Sequence, residues 1–353
     1  MIKAAAERLG LQPFRLPLAI NYAAENGRAA CVSCPTCDTF ACAIQAKNDL
    51  ATRVLPDLIQ KGLELRPNTV AVRLLSQNGR LTAVECFDKN KNETVRYHGK
   101  LFILSAGSLA SPHLILASGL EKQNPGGRVV GHYLTRHCNA IAFGFFPKRP
   151  NPKNEFHKQI GIHDFYFGHP EIKQPAGKLG SMQQLQTPPI GLVHKLVPPP
   201  FGRLLGLGVP HLTGLLVMAE DQPRYENHVA IDASQRDRFG LPQLLVTHRY
   251  TARDYAARDA LLAEARKILK TAGALFCYIH KIKTFSHAVG TVRMGSDPQT
   301  SALDPHCRFR GVDNLFVVDG SFMPTSGGLN PSLTISANAL RVAEHILKLN
   351  LLD

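Results

Sequence analysis

The sequence predicts a mixed α/β (α+β) chain that combines part of a parallel sheet with a mostly antiparallel domain. Three observations predict this fold class. Leu101–Ser105 is a continuous apolar run, typical of a strand buried on both faces. Proline and glycine punctuate short strand-like stretches between residues 125 and 250, as in antiparallel sheets. A second apolar strand, Asn314–Val318, precedes an amphipathic helix near the C-terminus.

The composition excludes several classes of protein. Of 353 residues, 44% are hydrophobic and 19% charged, as in a folded protein of about two domains. Apolar runs such as Leu212–Ala219 are too short to span a membrane, and the charged start does not resemble an export signal. We expect no membrane span and, by default, a cytoplasmic protein. Lysine and arginine exceed aspartate and glutamate by 41 to 27, but without runs of like charge, so we expect no nucleic-acid partner.

The first third of the chain predicts a helix and a β meander. Apolar residues after Asn48 have helical spacing, Pro56 starts a new turn or kinks the helix, and Gly62 ends it. The meander is predicted at Val70–Leu75, Leu81–Phe87 and Thr94–Tyr97, with an Asn-Gly turn between the first two strands.

A turn of small residues, Ala106-Gly107-Ser108, follows the apolar strand. Ser111 then has the character of an N-cap with Pro112 at the first helical position, which predicts a helix over His113–Ser118. A strand, a small-residue turn and a helix let a backbone approach a nucleotide at the carboxyl end of a sheet.

The middle of the chain predicts four strands and one long helix. The strands are predicted at Ala140–Phe146, Asp164–Phe167, Leu212–Ala219 and His228–Ile231. The helix is predicted at Ala252–Ala272 and ends at Gly273. Its expected buried side is formed by Ala256, Leu261, Leu262, Ala265, Ile268 and Leu269.

The C-terminal strand leads into the turn Asp319-Gly320-Ser321 and then into a helix that runs to about Leu349. Asn330 is expected to cap this helix, with Pro331 at its first position. Its expected buried face is formed by Leu333, Ala337, Leu340, Ala343 and Leu347.

These C-terminal residue types suit the oxidation of an alcohol. A helix N-terminus stabilises a cofactor that gains negative charge, as a flavin does on accepting hydride. A neutral histidine such as His287 suits removal of the hydroxyl proton, and the Asn330 side chain suits orienting that hydroxyl. Taken singly, each has a plain alternative, because the chain has 15 histidines and most Asp-Gly-Ser turns and Asn-Pro helix starts are only structural.

Together these segments resemble the glucose–methanol–choline (GMC) family of FAD-dependent oxidoreductases. The signature comprises His287-Ala-Val-Gly-Thr-x-Arg-Met-Gly, the strand ending in Asp319-Gly320-Ser321, and Asn330-Pro331-x-x-Thr334. Ser105–Gly119 and Gly131–His137 are similar to further segments of the family. The resemblance implies an incomplete FAD-binding Rossmann-like domain, an antiparallel-sheet substrate domain, and oxidation of a small-molecule alcohol to a carbonyl by hydride transfer to flavin N5.

The resemblance also assigns residues. His287 and Asn330 correspond to the family's catalytic pair, with His287 as the base. Cofactor contacts are implied for Val70, Ala106, Gly107, Asp319, Gly320, Asn330, Pro331 and Thr334. The implied domains are a partial FAD-binding domain at 1–119, a substrate-binding domain at 120–285, and a C-terminal return into the FAD-binding domain at 286–353.

One departure concerns the cofactor. No Gly-x-Gly-x-x-Gly turn occurs, and Gly206-Leu-Gly208 is its nearest approach. We expect a chain that starts inside the family's fold, as a truncated product, a mis-assigned start or one piece of a split protein. FAD binding is then expected to be impaired and an apolar sheet edge exposed. A non-catalytic remnant is the alternative function.

The cysteine-rich segment Cys31–Cys42 leaves further alternatives open. Relatives with such a segment include dehydrogenase subunits whose iron–sulfur cluster passes electrons to a haem partner, so an electron-acceptor subunit is one expected partner. Cys31, Cys34, Cys37 and Cys42 could ligate iron or zinc, although their spacing fits no standard ferredoxin pattern. A loop with a disulfide or free thiols is the structural alternative.

Overall fold

The computed structural model describes residues 1–25, 27–35, 37, 40–156, 158–185, 187, 190–191 and 200–349. The chain forms two compact units that are interleaved along the sequence. The first comprises Met1–Leu65, Asn139–Ala219 and Ala256–Lys283, and the second comprises Arg66–Cys138, Glu220–Tyr255 and Thr284–Asp353. The mixed α/β class with antiparallel sheets is confirmed.

The first unit is built on a six-stranded sheet with the strand order β1-β7-β8-β9-β6-β12. These strands are β1 (Phe14–Arg15), β6 (Cys138–Phe145), β7 (Ile160–Ile162), β8 (Gly180–Leu185), β9 (Leu212–Ala219) and β12 (Phe276–Lys281). β9 carries seven consecutive buried residues, which explains its unbroken apolar sequence.

Helices of the first unit accompany this sheet. They are α1 (Ile2–Arg8), α2 (Leu50–Arg53), α3 (Leu55–Gln60), α5 (Phe201–Gly208) and most of α6 (Ala252–Thr271). The predicted break at Pro56 is confirmed, because proline lies in the first turn of the new helix α3. The long helix is confirmed with one correction: Ala257 is buried, whereas the predicted Ala256 is exposed.

In the described residues of the second unit there are three small sheets and, besides the start of α6, two α-helices. β2 (Thr69–Gln77), β3 (Arg80–Asp88) and β4 (Glu93–His98) form the predicted meander, and β10 (His228–Arg236) pairs with β11 (Pro242–Thr247) as a hairpin. The predicted apolar strands are observed as β5 (Phe102–Leu104) and β13 (Leu315–Val317), which pair in parallel. The helices are α4 (Gly107–Ala117) and α7 (Ser332–Lys348).

Parallel pairing of β5 and β13 places their carboxyl ends side by side. Phe102, Ile103 and Leu104 lie opposite Leu315, Phe316 and Val317. All three β13 residues are buried in the main hydrophobic core of this unit. The turns that follow both strands therefore begin at one edge of the pair, where such sheets bind ligands.

The start of α4 differs from the prediction. The helix begins at Gly107, so Ser111 and Pro112 lie inside it and Ser111 is not an N-cap. Proline cannot donate the amide bond to the carbonyl four residues earlier, which here belongs to Ser108. Thr291 supplies the missing donor, with its Oγ1 2.7 Å from the Ser108 carbonyl oxygen. A tertiary contact therefore permits a proline that the local sequence places at a helix start.

The predicted face of α7 is also wrong. Leu333, Leu340 and Leu347 are 78%, 70% and 71% exposed, whereas Val342 and Ile346 are buried. Both stripes repeat with helical spacing, so periodicity alone could not choose between them. The expected cap is absent as well, since α7 is preceded by Pro331 and the described residues provide it with no side-chain cap from Asn330.

A misassigned strand and the lengths of the helices also bear on the sequence predictions. The strand predicted at Asp164–Phe167 is a turn with buried Phe165, and the nearby strand is Ile160–Ile162 instead. None of the helices in the described part of the chain has the length and apolar character needed to cross a bilayer. The domain ranges 1–119, 120–285 and 286–353 stay a prediction.

Gly131 and Gly240 provide a matched test of packing in the second unit. Their φ angles are +86° and +87°, so alanine suffers similar backbone strain at both. A Cβ at Gly131 would lie 2.3 Å from the carbonyl oxygen of Val229, whereas one at Gly240 would meet nothing within 4 Å. We expect Gly131→Ala to lose roughly 1–3 kcal/mol more unfolding free energy than Gly240→Ala. Urea unfolding of both variants measures this difference, and equal losses would contradict the close approach.

Candidate active site

Asp319 joins the turns that follow β5 and β13. Its Oδ1 accepts the amide of Ser321 at 2.8 Å, and its Oδ2 accepts the amide of Gly107 at 3.0 Å and the hydroxyl of Ser111. Ser111 Oγ in turn accepts the amide of Ala106 at 3.1 Å. The structure thus brings together the four predicted cofactor residues Ala106, Gly107, Asp319 and Gly320.

Gly320 lies where three segments meet. A Cβ on it would come within 3.1 Å of both Ile335 on α7 and Val289, and within 3.2 Å of Ser108 Oγ. Glycine therefore permits the close approach of α7 to the turn. The carbonyl of Gly320 also accepts the amide of Gly290 at 3.1 Å, which fixes the segment containing His287 beside the turn.

His287 is positioned by a short antiparallel contact. Thr135 and Val289 exchange two backbone hydrogen bonds of 3.0 Å each. Two residues further along, the register brings His137 opposite His287, and both have left-handed backbone, with φ of +62° and +56°. Their Nδ1 atoms lie 3.1 Å apart. The register, rather than either residue alone, makes them neighbours.

His137 is the more deeply buried of the two histidines. It is 1% exposed, and its Nε2 lies 2.8 Å from the carbonyl oxygen of Ser326. Burial lowers the pKa of His137, although the Ser326 carbonyl and the nearby Asp221 and Glu220 carboxylates oppose that shift. His137 is therefore neutral near pH 7.

Asp221 holds the backbone on which His137 lies. Its carboxylate accepts the amides of Arg136 at 2.9 Å and His137 at 3.0 Å, and contacts Nε2 of His248 at 3.1 Å. Burial by itself raises the pKa of Asp221, but the hydrogen bonds from His248 and the Arg136 amide outweigh it and lower that pKa. A buried carboxylate with these partners orients the segment carrying His137.

Arg136 connects the segment that carries His137 with the segment that carries His287. Its guanidinium lies 4.2 Å from the ring centroid of Phe285 and donates to the carbonyl of Thr284. The hydroxyl of Tyr250 donates to the carbonyl of His137 at 2.8 Å. Sequence reasoning assigned no role to His137, Asp221 or Arg136, and only the segment Gly131–His137 pointed to this region.

The remaining predicted residues have different positions. Asn330 is exposed and follows the Ser326 carbonyl by four residues, and Thr334 is exposed on the first turn of α7. Val70 is partly buried on β2, opposite Phe87. Pro331 is buried at the start of α7. The pairing of His287 with Asn330 and all the individual cofactor contacts stay predictions.

The first turn of α7 fits the flavin end of FAD. Ser332–Thr334 are exposed, and the described residues provide no side-chain cap, so the partial positive charge of the first-turn amides is not offset by a capping side chain. At the Ala106-Gly107 turn, a Cβ on Gly107 would meet nothing within 4 Å, which leaves that backbone open to a ligand. Gly206 and Gly208 lie within α5 rather than in a strand-to-helix turn, so this glycine pair does not form the pyrophosphate-binding turn of a dinucleotide fold.

The cysteine-rich segment gives no support to a metal cluster. Cys31, Cys34, Cys37 and Cys42 all belong to the described residues, and none of these four forms a disulfide. Within the described ranges, no group of three or more histidine, cysteine or acidic residues could hold a metal ion. The hydrogen bonds that Cys42 accepts around Ala46 and Lys47 lower the pKa of its thiol, although desolvation raises it.

Comparison with known proteins establishes the family. Two family models described as GMC oxidoreductase match residues 1–139 and 223–339, together more than half of the chain. The chain belongs to the GMC oxidoreductases, and the resemblance predicted from the sequence is confirmed.

Individual relatives are similar to the chain over nearly its whole length. It is 29% identical to 6'''-hydroxyparomomycin C oxidase of Streptomyces lividus, over 98% of this chain and 63% of that protein. It is 27% identical to the gluconate 2-dehydrogenase flavoprotein of Pantoea cypripedii, over 98% of this chain and 62% of that protein. The chain spans less than two thirds of the length of these relatives.

A solved structure shares the fold. Pyridoxine 4-oxidase from "Mesorbium loti" superposes with a TM-score of 0.58 at 20% sequence identity, over 78% of this chain and 57% of that one. This likeness shows a common fold, which agrees with the family assignment.

Removing the Asp319 carboxylate tests the junction of the two turns. We expect Asp319→Ala to lose about 2–4 kcal/mol of unfolding free energy, because it leaves the buried donors on Ser111 and Ser321 and the partly buried donor on Gly107 without an acceptor. Asp319→Asn keeps one carbonyl oxygen and should lose less. The matched control is Asp232→Ala, which loses a similar i+2 serine contact in a partly exposed strand. Equal urea midpoints for the Asp319 and Asp232 variants would refute the role of Asp319.

The low pKa of His137 predicts a pH-dependent contribution to stability. An unfolded histidine has a pKa near 6.5, whereas the pKa of His137 in the folded chain is lower, so the unfolded state binds a proton at a higher pH than the folded state does. The resulting loss of unfolding free energy is therefore small above pH 6.5, and it grows as the pH falls below that value towards the pKa of folded His137. Between pH 7.5 and 5.5, we expect the parent chain to lose up to about 1.4 kcal/mol more stability than His137→Asn. Chemical unfolding at both pH values measures the difference, and parallel losses would contradict it.

Proposed function

We propose that this chain carries the alcohol-oxidising site of an FAD-dependent GMC oxidoreductase, converting a CH–OH group to a carbonyl. The observation that supports it most is the junction of His287 with the cofactor turn. Gly290, three residues after His287, donates to the carbonyl of Gly320, and Asp319 joins that turn to Gly107. A histidine is thus held near the carboxyl ends of parallel strands, where the family binds flavin.

His287 acts as the base in this proposal. A neutral imidazole with a pKa near working pH removes the hydroxyl proton of the alcohol efficiently. Asn330, exposed immediately before α7, orients the same hydroxyl through its carboxamide. The two residues divide the work between proton transfer and alignment.

The chemistry that bound FAD would supply at this site is a hydride acceptor for the alcohol carbon. The amides in the first turn of α7, from Ser332 to Thr334, are placed to stabilise negative charge on the flavin ring. Asp319 orders the Gly107 turn, whose open backbone is available to the ribityl chain or pyrophosphate. Without a Gly-x-Gly-x-x-Gly turn, we expect this chain alone to bind FAD more weakly than a chain with that motif.

The proposed substrate is a small hydroxylated molecule. Relatives named for oxidation of paromamine, fructose, gluconate and 2-methyl-1,2-propanediol suggest the panel to test. One relative is named as the large subunit of fructose dehydrogenase, so an electron-acceptor subunit is a further proposed partner.

A flavin spectrum combined with turnover tests the proposal. The chain is incubated with FAD, separated from free cofactor, and mixed with the four alcohols and a dye acceptor. We expect retained flavin absorbance and turnover with at least one alcohol. His287→Ala should keep the absorbance and lose turnover by about 10²–10⁴-fold, because the general base is removed.

An exposed histidine outside the proposed site provides the control. His280 lies on β12 in the first unit, and His280→Ala should leave both absorbance and turnover unchanged. If the chain bound flavin but oxidised none of the alcohols, the family fold would stand and the proposed activity would be contradicted. If the chain bound no flavin, the non-catalytic remnant would be favoured. Unchanged turnover in His287→Ala would remove His287 from its role.

A further inference from the structure

We propose that His137 is a positioning residue that fixes the tautomer of His287, with the proton on Nδ1 and the basic lone pair on Nε2. The inference rests on the proposed function for its catalytic meaning, but the tautomer itself is a property of the folded chain. Three observations carry it: the contact of His137 with a carbonyl, the contact between the two imidazoles, and the rigid backbone on which His137 lies.

The carbonyl of Ser326 fixes the proton on His137. A carbonyl oxygen can only accept a hydrogen bond, so the ring nitrogen 2.8 Å from it, Nε2 of His137, carries a hydrogen. The side chain of His137 is buried, and removal from water disfavours a charged imidazole. His137 is therefore the neutral Nε2–H tautomer, and its Nδ1 is a hydrogen-bond acceptor.

The acceptor on His137 then fixes His287. Nδ1 of His287 lies 3.1 Å from Nδ1 of His137, and two acceptors at that distance would leave one lone pair facing another. Nδ1 of His287 must therefore donate, so in the neutral ring Nε2 carries the lone pair. The chain of bonds runs in one direction, from Nδ1–H of His287 to His137 and from Nε2–H of His137 to Ser326.

The backbone around His137 prevents its ring from turning away. Asp221 accepts the amide of His137 at 3.0 Å, and the hydroxyl of Tyr250 donates to its carbonyl at 2.8 Å. The ring planes of the two histidines meet at 77°, with centroids 5.1 Å apart. Crossed ring planes of this kind are compatible with a hydrogen bond from Nδ1–H of His287 to the in-plane lone pair on Nδ1 of His137.

The selected tautomer matters because only one ring nitrogen can be the base. Nε2 is at the far end of the imidazole from the backbone, so a lone pair there is presented at the tip of the side chain. A free imidazole in water favours the opposite tautomer, with the proton on Nε2, and the Nδ1 contact with His137 selects against that preference. His137 thus converts His287 into a base before any substrate binds, in the way a second group orients the histidine of other catalytic pairs.

Nitrogen-15 NMR of the 353-residue chain tests the assignment directly. Histidine ring nitrogens are labelled, and two-bond proton–nitrogen spectra are recorded at pH 8, where the imidazoles are neutral. Signals are assigned by their loss in His287→Gln and His137→Gln. We expect protonated-type shifts for Nδ1 of His287 and Nε2 of His137. Protonated Nε2 on His287 in the parent chain would overturn the proposal, whatever the variants do.

Two substitutions separate positioning from packing. In His137→Asn, the shorter side chain would present a carboxamide oxygen where Nδ1 of His137 lies. In His137→Gln, the longer side chain would place its amide near the Ser326 carbonyl instead. We therefore expect His137→Asn to keep the Nδ1–H tautomer of His287 and His137→Gln to lose it. If His137→Gln kept the Nδ1–H tautomer of His287 while folded by circular dichroism, His137 would not be its cause.

Steady-state kinetics of the His137 variants test the positioning role independently of the NMR measurement. With FAD and an alcohol, His137→Gln should lower kcat by about tenfold or more with little change in KM, and His137→Asn should recover most of it. Absence of flavin or turnover would defeat the proposed function and leave the NMR result standing. Turnover that depends on His287, combined with the wrong tautomer, would defeat this inference alone.

Discussion

The carboxylate of Asp319 is the interaction on which the second unit depends. β5 and β13 are only three residues long each, so few backbone bonds hold them in parallel. Asp319 adds two acceptor contacts across the same edge, to Gly107 and Ser111, and a third to Ser321 within its own turn. Because it is buried, its oxygens cannot exchange these partners for water. The positions of α4 and of the segment after His287 follow from this junction.

A second polar layer lies behind the candidate base. Asp221, His137 and Ser326 are buried. The carboxylate of Asp221 accepts the amide of His137, and the ring of His137 contacts the carbonyl of Ser326. Buried polar groups specify one arrangement strongly, because any other leaves a donor or acceptor unpaired. Left-handed backbone at both His137 and His287 is tolerated here since the surrounding contacts over-determine it. Such strained positions are common where a side chain must be aimed.

Sequence reasoning predicted most of the elements and the family, but not the network. Strands such as β9 and the meander were predictable because apolar runs and an Asn-Gly turn are local signals. The buried face of α7 was not, since two apolar stripes compete and tertiary packing decides. The contact between His137 and His287 spans 150 residues and depends on the register of Thr135 with Val289. The spacing of residues along the sequence does not show which residues pair between these two segments.

Pro112 and Thr291 have a consequence for how this sequence can change over time. The proline leaves the Ser108 carbonyl without its helical donor, and the threonine hydroxyl replaces it. Exchanging Thr291 for valine while Pro112 stays would strand a buried acceptor, whereas the same exchange beside a non-proline residue would be mild. The two positions are therefore expected to drift as a pair. In aligned descendants of this chain, their substitutions should be correlated although 179 positions separate them.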